Sequence, residues 1–292
     1  MQLHRWALAA GVLAIVAVGC GTPYLAPPGV APIRFRDAVF ANVTKTADVV
    51  YGSAVNQQGQ TETLILDMYR PTGDTHTSRP AIVWIHGGSF SGGDKTSPEL
   101  IDETNIFAQK GYVNVSINYR LTPGGCSAGG PTPACLTEIV DARHDAQAAV
   151  RFLRKNAATY GIDPNRIAVA GTSAGAITAM EVAYGSDDVG VSGNPGFPST
   201  VRAAVSLSGA SLLTAPDPGE PPTLDFHGTA DPLVPYAWAT ATLNAAKAVG
   251  DTAYLTTWPG AGHVPYGQHH AEIIDQTTNF LWWEMDLARA AG

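Results

Sequence analysis

The decapeptide R-I-A-V-A-G-T-S-A-G at residues 166–175 joins an apolar run to a serine held between two glycines. Arg166 to Ala170 has the continuous apolar character of a strand covered on both faces, and Ala174 to Tyr184 reads as the helix that follows. Gly171-Thr172-Ser173-Ala174-Gly175 therefore stands where a strand turns directly into a helix. A bare G-x-S-x-G recurs by chance; with a strand before it and a helix after it, the signal becomes specific. Such a turn is so tight that a side chain at either glycine would run into neighbouring backbone. Ser173 is left on the strained tip with its hydroxyl outward. The helix beneath it starts with unbonded N–H groups, which favour a developing anion.

On either side of this segment, strands and helices alternate. Val49 to Val55 and Thr63 to Tyr69 predict an antiparallel edge hairpin joined through Asn56-Gln57-Gln58-Gly59. Ala81 to Ile85, Val113 to Ile117, Ala203 to Leu207, Thr223 to Phe226 and Ala253 to Trp258 are short, mostly apolar runs of the kind buried in a parallel sheet. Thr137 to Tyr160, Ala237 to Val249 and Ala271 to Ala288 have the spacing of helices. In the first of these, Asp141 and Asp145 come early and Arg151, Arg154 and Lys155 late, as the macrodipole favours, and Gly161 ends it. Repeated β–α units predict an α/β protein with a right-handed, mostly parallel central sheet of about eight strands flanked by helices. No internal repeat or second domain interrupts the pattern.

A serine hydroxyl is a poor nucleophile without a base. Behind an elbow of this type the acid and the histidine follow the serine in the chain. Asp231 lies in His227-Gly228-Thr229-Ala230-Asp231-Pro232, a turn straight after the strand at Thr223 to Phe226. His263 lies in Gly260-Ala261-Gly262-His263-Val264-Pro265, a glycine-rich loop after the next strand. Loops that follow parallel strands all emerge at the carboxyl edge of the sheet, so Ser173, Asp231 and His263 are expected to meet there. The rivals are badly placed. Asp225 lies inside a strand, and Asp251 precedes one and belongs at the opposite edge. His269 and His270 start the last helix, where they cap or face solvent. His227 reads as a hydrogen-bonded structural residue. His263, His269 and His270 lack zinc-ligand spacing, so no metal is expected.

The third element is Trp84-Ile85-His86-Gly87-Gly88-Ser89-Phe90, directly after the strand at Ala81 to Ile85. With these three motifs in this order the chain resembles the α/β-hydrolase superfamily. It is most similar to the serine carboxylesterases of the hormone-sensitive-lipase and feruloyl-esterase-like branches. The resemblance covers roughly Thr63 to His263, in a catalytic domain placed at 34–292. It implies an α/β-hydrolase fold without a large cap domain, and ester hydrolysis through an acyl-enzyme on short-chain or exposed esters. Ser173 would be the nucleophile, His263 the base and Asp231 its orienting acid. The branch's H-G-G-G loop supplies oxyanion amides, which implies Gly88, Ser89 and Ala174 as donors here. The third glycine of that loop is Ser89 in this chain, which leaves its amide in place but can set the loop differently. His86 reads as stabilising the turn. Phe90, Leu233, Val264 and Tyr236 border the expected site. Ser186 to Thr200 and Ser211 to Pro222 are too rich in Gly, Pro, Ser and Asp to form a helical lid, so the cleft is expected to be open. No cofactor is implied. Peptidase, thioesterase and acyltransferase chemistry remain open to the same triad, as does a non-catalytic binding role for the fold.

Residues 1–19 have the weakly basic start, apolar run and small-residue ending of a signal peptide. Cys20 after Gly19 also resembles a bacterial lipobox, although Ala17 departs from its usual larger apolar residue. Both an exported lipoprotein anchored to a membrane through Cys20 and a freely secreted protein remain open. The segment 20–33, with Pro23, Pro27, Pro28 and Pro32, reads as a semi-rigid tether. Cys126 and Cys135 are the remaining pair, and outside the cytosol a disulfide is their expected state. The formal net charge of −8, with no cluster of Lys and Arg, argues against nucleic acid as a partner. A monomer acting on a small-molecule or polymer ester is expected.

Overall fold

The structure is a computed structural model and describes residues 24–126, 131–185 and 188–290. The signal-peptide reading, Cys20 and the start of the tether lie outside the described residues. Eight strands form one sheet: β1 (Val43–Val55), β2 (Thr61–Pro71), β3 (Arg79–Ile85), β4 (Val113–Ile117), β5 (Ile162–Thr172), β6 (Ala203–Leu207), β7 (Thr223–Gly228) and β8 (Ala253–Trp258). Their order is β1-β2-β4-β3-β5-β6-β7-β8. The β1–β2 and β2–β4 pairings are antiparallel, and every other pairing is parallel. The hairpin turn is built on Asn56, whose side-chain oxygen accepts the amides of Gln58 and Gln60 at 3.0 and 2.9 Å, an Asx turn.

Among the described residues six helices flank the sheet, with α3 (Ala157–Tyr160) a single turn after the second of them. Helices α2 (Pro133–Lys155), α4 (Ala174–Tyr184) and α5 (Tyr236–Ala248) cover one face. Helices α1 (Pro98–Gln109) and α6 (Tyr266–Glu284) cover the other. The strands explain the two layers by their period of two. Ala81, Val83 and Ile85 of β3 pack toward α2 and α4, while Ile82 and Trp84 pack toward α1 and α6. Strands β3, β4, β6 and β7 are buried along their whole length for this reason, and so read as largely apolar runs. Helix α4 is buried at every position, because it lies against β5, β6 and α2 at once.

Three details differ from the sequence reading. Helix α1 was not anticipated; three acidic residues in its twelve (Glu99, Asp102 and Glu103) mask its apolar stripe of Leu100, Phe107 and Ala108. Helix α2 starts at Pro133 rather than Thr137, with the Thr132 hydroxyl accepting the Cys135 amide at 3.2 Å. Asp145 is consequently in the body of the helix, buried against Arg120, and serves a pairing rather than the helix dipole. The segment read as a tether is docked from Tyr24 on: its ring packs on Tyr254 and Phe280 at 5.2 and 5.6 Å, and Trp283 donates to the Leu25 carbonyl at 3.0 Å.

Candidate active site

Ser173 is the residue between β5 and α4, with φ 55° and ψ −116°. The positive φ aims its side chain out of the turn and is tolerated because both flanks are fixed. A Cβ on Gly171 would lie 2.2 Å from the Gly175 carbonyl oxygen, and one on Gly175 would lie 1.9 Å from that of Ile85. Only glycine fits at either place. The Ser173 amide is tied to the Leu207 carbonyl of β6 at 2.9 Å.

The loops after β7 and β8 bring the other two residues to the same edge. They bind each other through the Ala230 amide on the Ala261 carbonyl (2.9 Å) and the Gly260 amide on the Thr229 hydroxyl (2.8 Å). His263 Nδ1 stands 2.7 Å from Asp231 Oδ2, and its Nε2 stands 2.7 Å from Ser173 Oγ. Asp231 Oδ1 accepts the amides of Leu233 and Val234 at 2.9 and 3.0 Å, so the turn itself orients the carboxylate. Burial alone would raise the Asp231 pKa. Hydrogen bonds from His227 and His263 and from those two amides outweigh it and hold the carboxyl well below the ordinary carboxylate range. The His263 loop is pinned by the Val264 amide, which donates to the Ser208 hydroxyl after β6 at 3.0 Å.

The loop after β3 lies across the serine. Gly88, Ser89 and Phe90 all have positive φ (121°, 54° and 60°). Its form is held by the Ser91 and Gly92 amides on the Gly88 carbonyl and by the Cys126 amide on the Ser89 carbonyl. Among the described residues, the turn and loop hydrogen bonds do not use the amides of Gly88, Ser89 or Ala174. His86 is buried beneath this loop. Its Nδ1 is 2.6 Å from the Gly87 carbonyl, and its ring stacks on Tyr119 at 4.4 Å. Burial pushes its pKa down, which fits a neutral residue holding a turn.

A cleft opens beside Ser173, walled by Ser89 and Phe90 on one side and by Ile139, Ile177, Leu212 and Trp238 on the other. Cys126 and Cys135 form a disulfide, with Cα atoms 4.8 Å apart, and both residues line this cleft. Of the expected neighbours, Phe90 and Leu233 line it. Val264 packs instead into the core layer of α6, and Tyr236 turns its hydroxyl to Thr257 at 2.9 Å. Trp238 was missed because it lies on a helix after Asp231, where nothing in the chain marks its direction. His227 was read as structural; it is buried, and it also contacts Asp231 at 3.3 Å. The three downstream histidines diverge: His263 faces Ser173, His270 bonds Asp102 at 2.7 Å and His269 stacks on Trp258 at 4.0 Å.

Residues 66–216, just over half of the chain, match the BD-FAE family, and residues 205–282 match the TAP-like proteins. This chain belongs to the BD-FAE family. Solved structures similar to this BD-FAE protein include esterase 2 of Thermogutta terrifontis phosphorylated by paraoxon, at 25% identity and a TM-score of 0.66. That likeness covers 81% of this chain and 93% of that one. The propionate-bound form of the same esterase gives 25% identity and a TM-score of 0.65 over 80% and 92% of the two chains. The fold is thus that of the α/β-hydrolase esterases. Among curated relatives, the phenmedipham hydrolase of Pseudarthrobacter oxydans is 35% identical over 183 residues, 56% of this chain and 35% of that protein. Lipase 4 of Diutina rugosa is 29% identical over 160 residues, 53% of this chain and 28% of that one. The BD-FAE chain spans about a third of the length of these relatives.

Proposed function

We propose that this protein is a serine carboxylic-ester hydrolase. The observation that carries the reading is the unbroken relay Asp231–His263–Ser173, with 2.7 Å at each contact and its open end in the cleft. Ser173 Oγ attacks the ester carbonyl carbon as His263 Nε2 takes its proton, while Asp231 fixes the tautomer and stabilises the imidazolium. The amides of Gly88, Ser89 and Ala174 receive the oxyanion, each donor being worth about 2.7–4 kcal/mol in such a site. The tetrahedral intermediate expels the alcohol, which takes the proton from His263. Water, activated by the same histidine, then releases the acid from the acyl-enzyme. Each step uses groups of the chain and water.

The likeness to an esterase bound to propionate, and to hydrolases and lipases, supports ester substrates. The cleft wall of Ile139, Trp238 and the disulfide favours a short acyl group or an exposed ester on a larger molecule. The described residues of 186–200 and 211–222 carry no helix that could act as a lid. The disulfide supports a place outside the cytosol. With the N-terminal pattern of residues 1–20 it makes an exported protein, anchored through Cys20 or released, the reading that fits.

A fluorophosphonate probe tests the central claim. It should label the wild-type protein at Ser173, with parallel loss of short-chain p-nitrophenyl ester hydrolysis. Labelling elsewhere, or hydrolysis that survives complete labelling of Ser173, would refute it. Rates on short-chain triglyceride should rise smoothly through the solubility limit; a jump at the oil–water interface would mean that a lid exists.

A further inference from the structure

We propose that Glu181 is a positioning residue that sets how long an acyl chain the cleft admits, by fixing the Leu212 segment of its wall; the inference rests on the ester-hydrolase reading above. Glu181 follows Ser173 along α4 by a little over two helical turns, roughly 12 Å along the axis. A helix buried at every position leaves a carboxylate no access to water, so its partners must come from the protein. They come from one short segment after β6. Glu181 Oε1 accepts the amides of Leu212 and Leu213 at 2.6 and 2.8 Å, and Oε2 accepts the Thr214 hydroxyl at 2.8 Å. The Ser211 hydroxyl is 3.1 Å from Oε1, but its single hydrogen goes to the nearer Thr214 carbonyl oxygen at 2.6 Å. Two successive amides thus converge on one carboxylate oxygen as a backbone nest, and bonds to an ionised acceptor are stronger than neutral ones. Arg143 of α2 supports the clamp from behind, with Nη1 3.4 Å from the Thr214 hydroxyl oxygen.

The clamp matters because packing does not fix Leu212, which is only half-buried. On one side it lines the cleft beside Ser173, together with Ile139, Ile177 and Trp238. On the other it borders a groove shared with Ala215 and with Ala241 and Ala245 of α5. Leu212 is therefore a partition with open space on both sides. Ile139 and Ile177 differ, since α2 and α4 carry them. Residues 211–214 belong to no helix or strand. Their segment is held by the Glu181 carboxylate and by the Ser211 amide on the Thr242 hydroxyl at 3.0 Å.

Without the carboxylate, two amides lose their acceptor, and the segment can regain partners in water by shifting into the groove. The cleft then deepens on that side and a longer acyl chain fits. Glu181 touches no reacting atom and acts on the substrate only through Leu212.

The test is the ratio of kcat/KM for p-nitrophenyl octanoate to that for the acetate. Glu181→Met should raise it about tenfold. Glu181→Gln keeps an acceptor oxygen for the two amides and should return most of the wild-type ratio. Leu212→Ala should raise the ratio by itself, and adding Glu181→Met should raise it no further, because both act through one side chain. An equal loss on both esters, a ratio that is unmoved or falls, or increments that multiply in the double variant would overturn the proposal. If Glu181→Met does not fold, Thr214→Val removes a single donor at a half-buried position. Its ratio should rise by less, and an unmoved ratio there overturns the inference. A wild-type protein with neither ester turnover nor fluorophosphonate labelling sinks the ester-hydrolase reading and this inference with it, whereas turnover with an unmoved ratio sinks this inference alone.

Discussion

Two buried carboxylate clusters lie at the carboxyl edge of this sheet, and they differ in whether they end. In the first, Arg120 binds Asp145 through its amide and guanidinium at 2.8–3.1 Å. It also reaches Asp141 Oδ1 at 3.0 Å and the Val55 carbonyl at 2.8 Å, and the Ser192 hydroxyl caps Asp145 at 2.6 Å. Every strong donor is spent inside the protein, and the cluster pins α2, the hairpin and the loop at 192 together. In the second, Asp231 is just as buried, but its charge passes through His263 to a serine hydroxyl that opens on the cleft. Closure yields rigidity, and on the proposed reading an open end yields a reactive group. The same chemistry serves two purposes according to what stands at the last position.

If that contrast is right, the largest effect comes from cutting the open end. Ser173→Ala should lower kcat by about 10^4- to 10^6-fold while leaving thermal unfolding near wild type, since only a hydroxyl facing the cleft is lost. Substantial residual activity would place the nucleophile elsewhere. The closed cluster should answer in stability. Arg120→Met strands buried carboxylates, and a loss of about 3–5 kcal/mol is expected in denaturant titration. Activity per folded molecule should change little; a kcat loss without a stability loss would erase the distinction between the two clusters.

The loop after β3, proposed above to receive the oxyanion, lies between these extremes. At Gly88, with φ 121°, an added Cβ would lie 2.1 Å from the Gly92 carbonyl oxygen. Gly88→Ala should shift the loop and cost about a hundredfold to a thousandfold in kcat. Equal activity would remove this loop from the mechanism. Opening the disulfide sharpens the comparison further, because Cys126 and Cys135 both belong to the cleft wall. Cys126→Ser with Cys135→Ser should cost about 2.7 kcal/mol of stability by loop closure and also change the ratio of kcat/KM between short and long acyl chains. A stability change with an unaltered ratio would make the bridge a staple only.

The smallest effect is in pH dependence. The folded-state pKa of His227 lies above its unfolded value, so its stabilisation is complete below about pH 6.5 and fades as pH rises through about 10. The difference in Tm between wild type and His227→Gln should therefore shrink across that window. A difference that stays constant with pH would mean that His227 carries no charge.

The elbow and its two partners were legible in the chain because each depends on local geometry. Gly171 and Gly175 are required by backbone contacts within a few residues or to the next strand, and Asp231 and His263 stand in turns that directly follow strands. Helix α1 was not legible, since its acidic residues blur the apolar stripe. Arg120 and Asp145 were not legible as a pair either. Their partnership needs β4 to deliver the arginine beside the middle of α2, and no spacing in the chain encodes that approach.

By itself the sequence determined the alternation of strands and helices, the serine on its strained turn, and the edge at which Asp231 and His263 emerge. Those follow from periodicity, steric exclusion and the single direction of parallel strands. Only the tertiary structure decided that His227 faces Asp231 as well as Asp225, that the disulfide is part of the cleft wall, and that Trp238 rather than Tyr236 reaches the cleft. The physical reason is range. Backbone preferences act over a few residues, whereas electrostatic partners and pocket walls are set by which side chains distant segments bring within a few ångströms of one another.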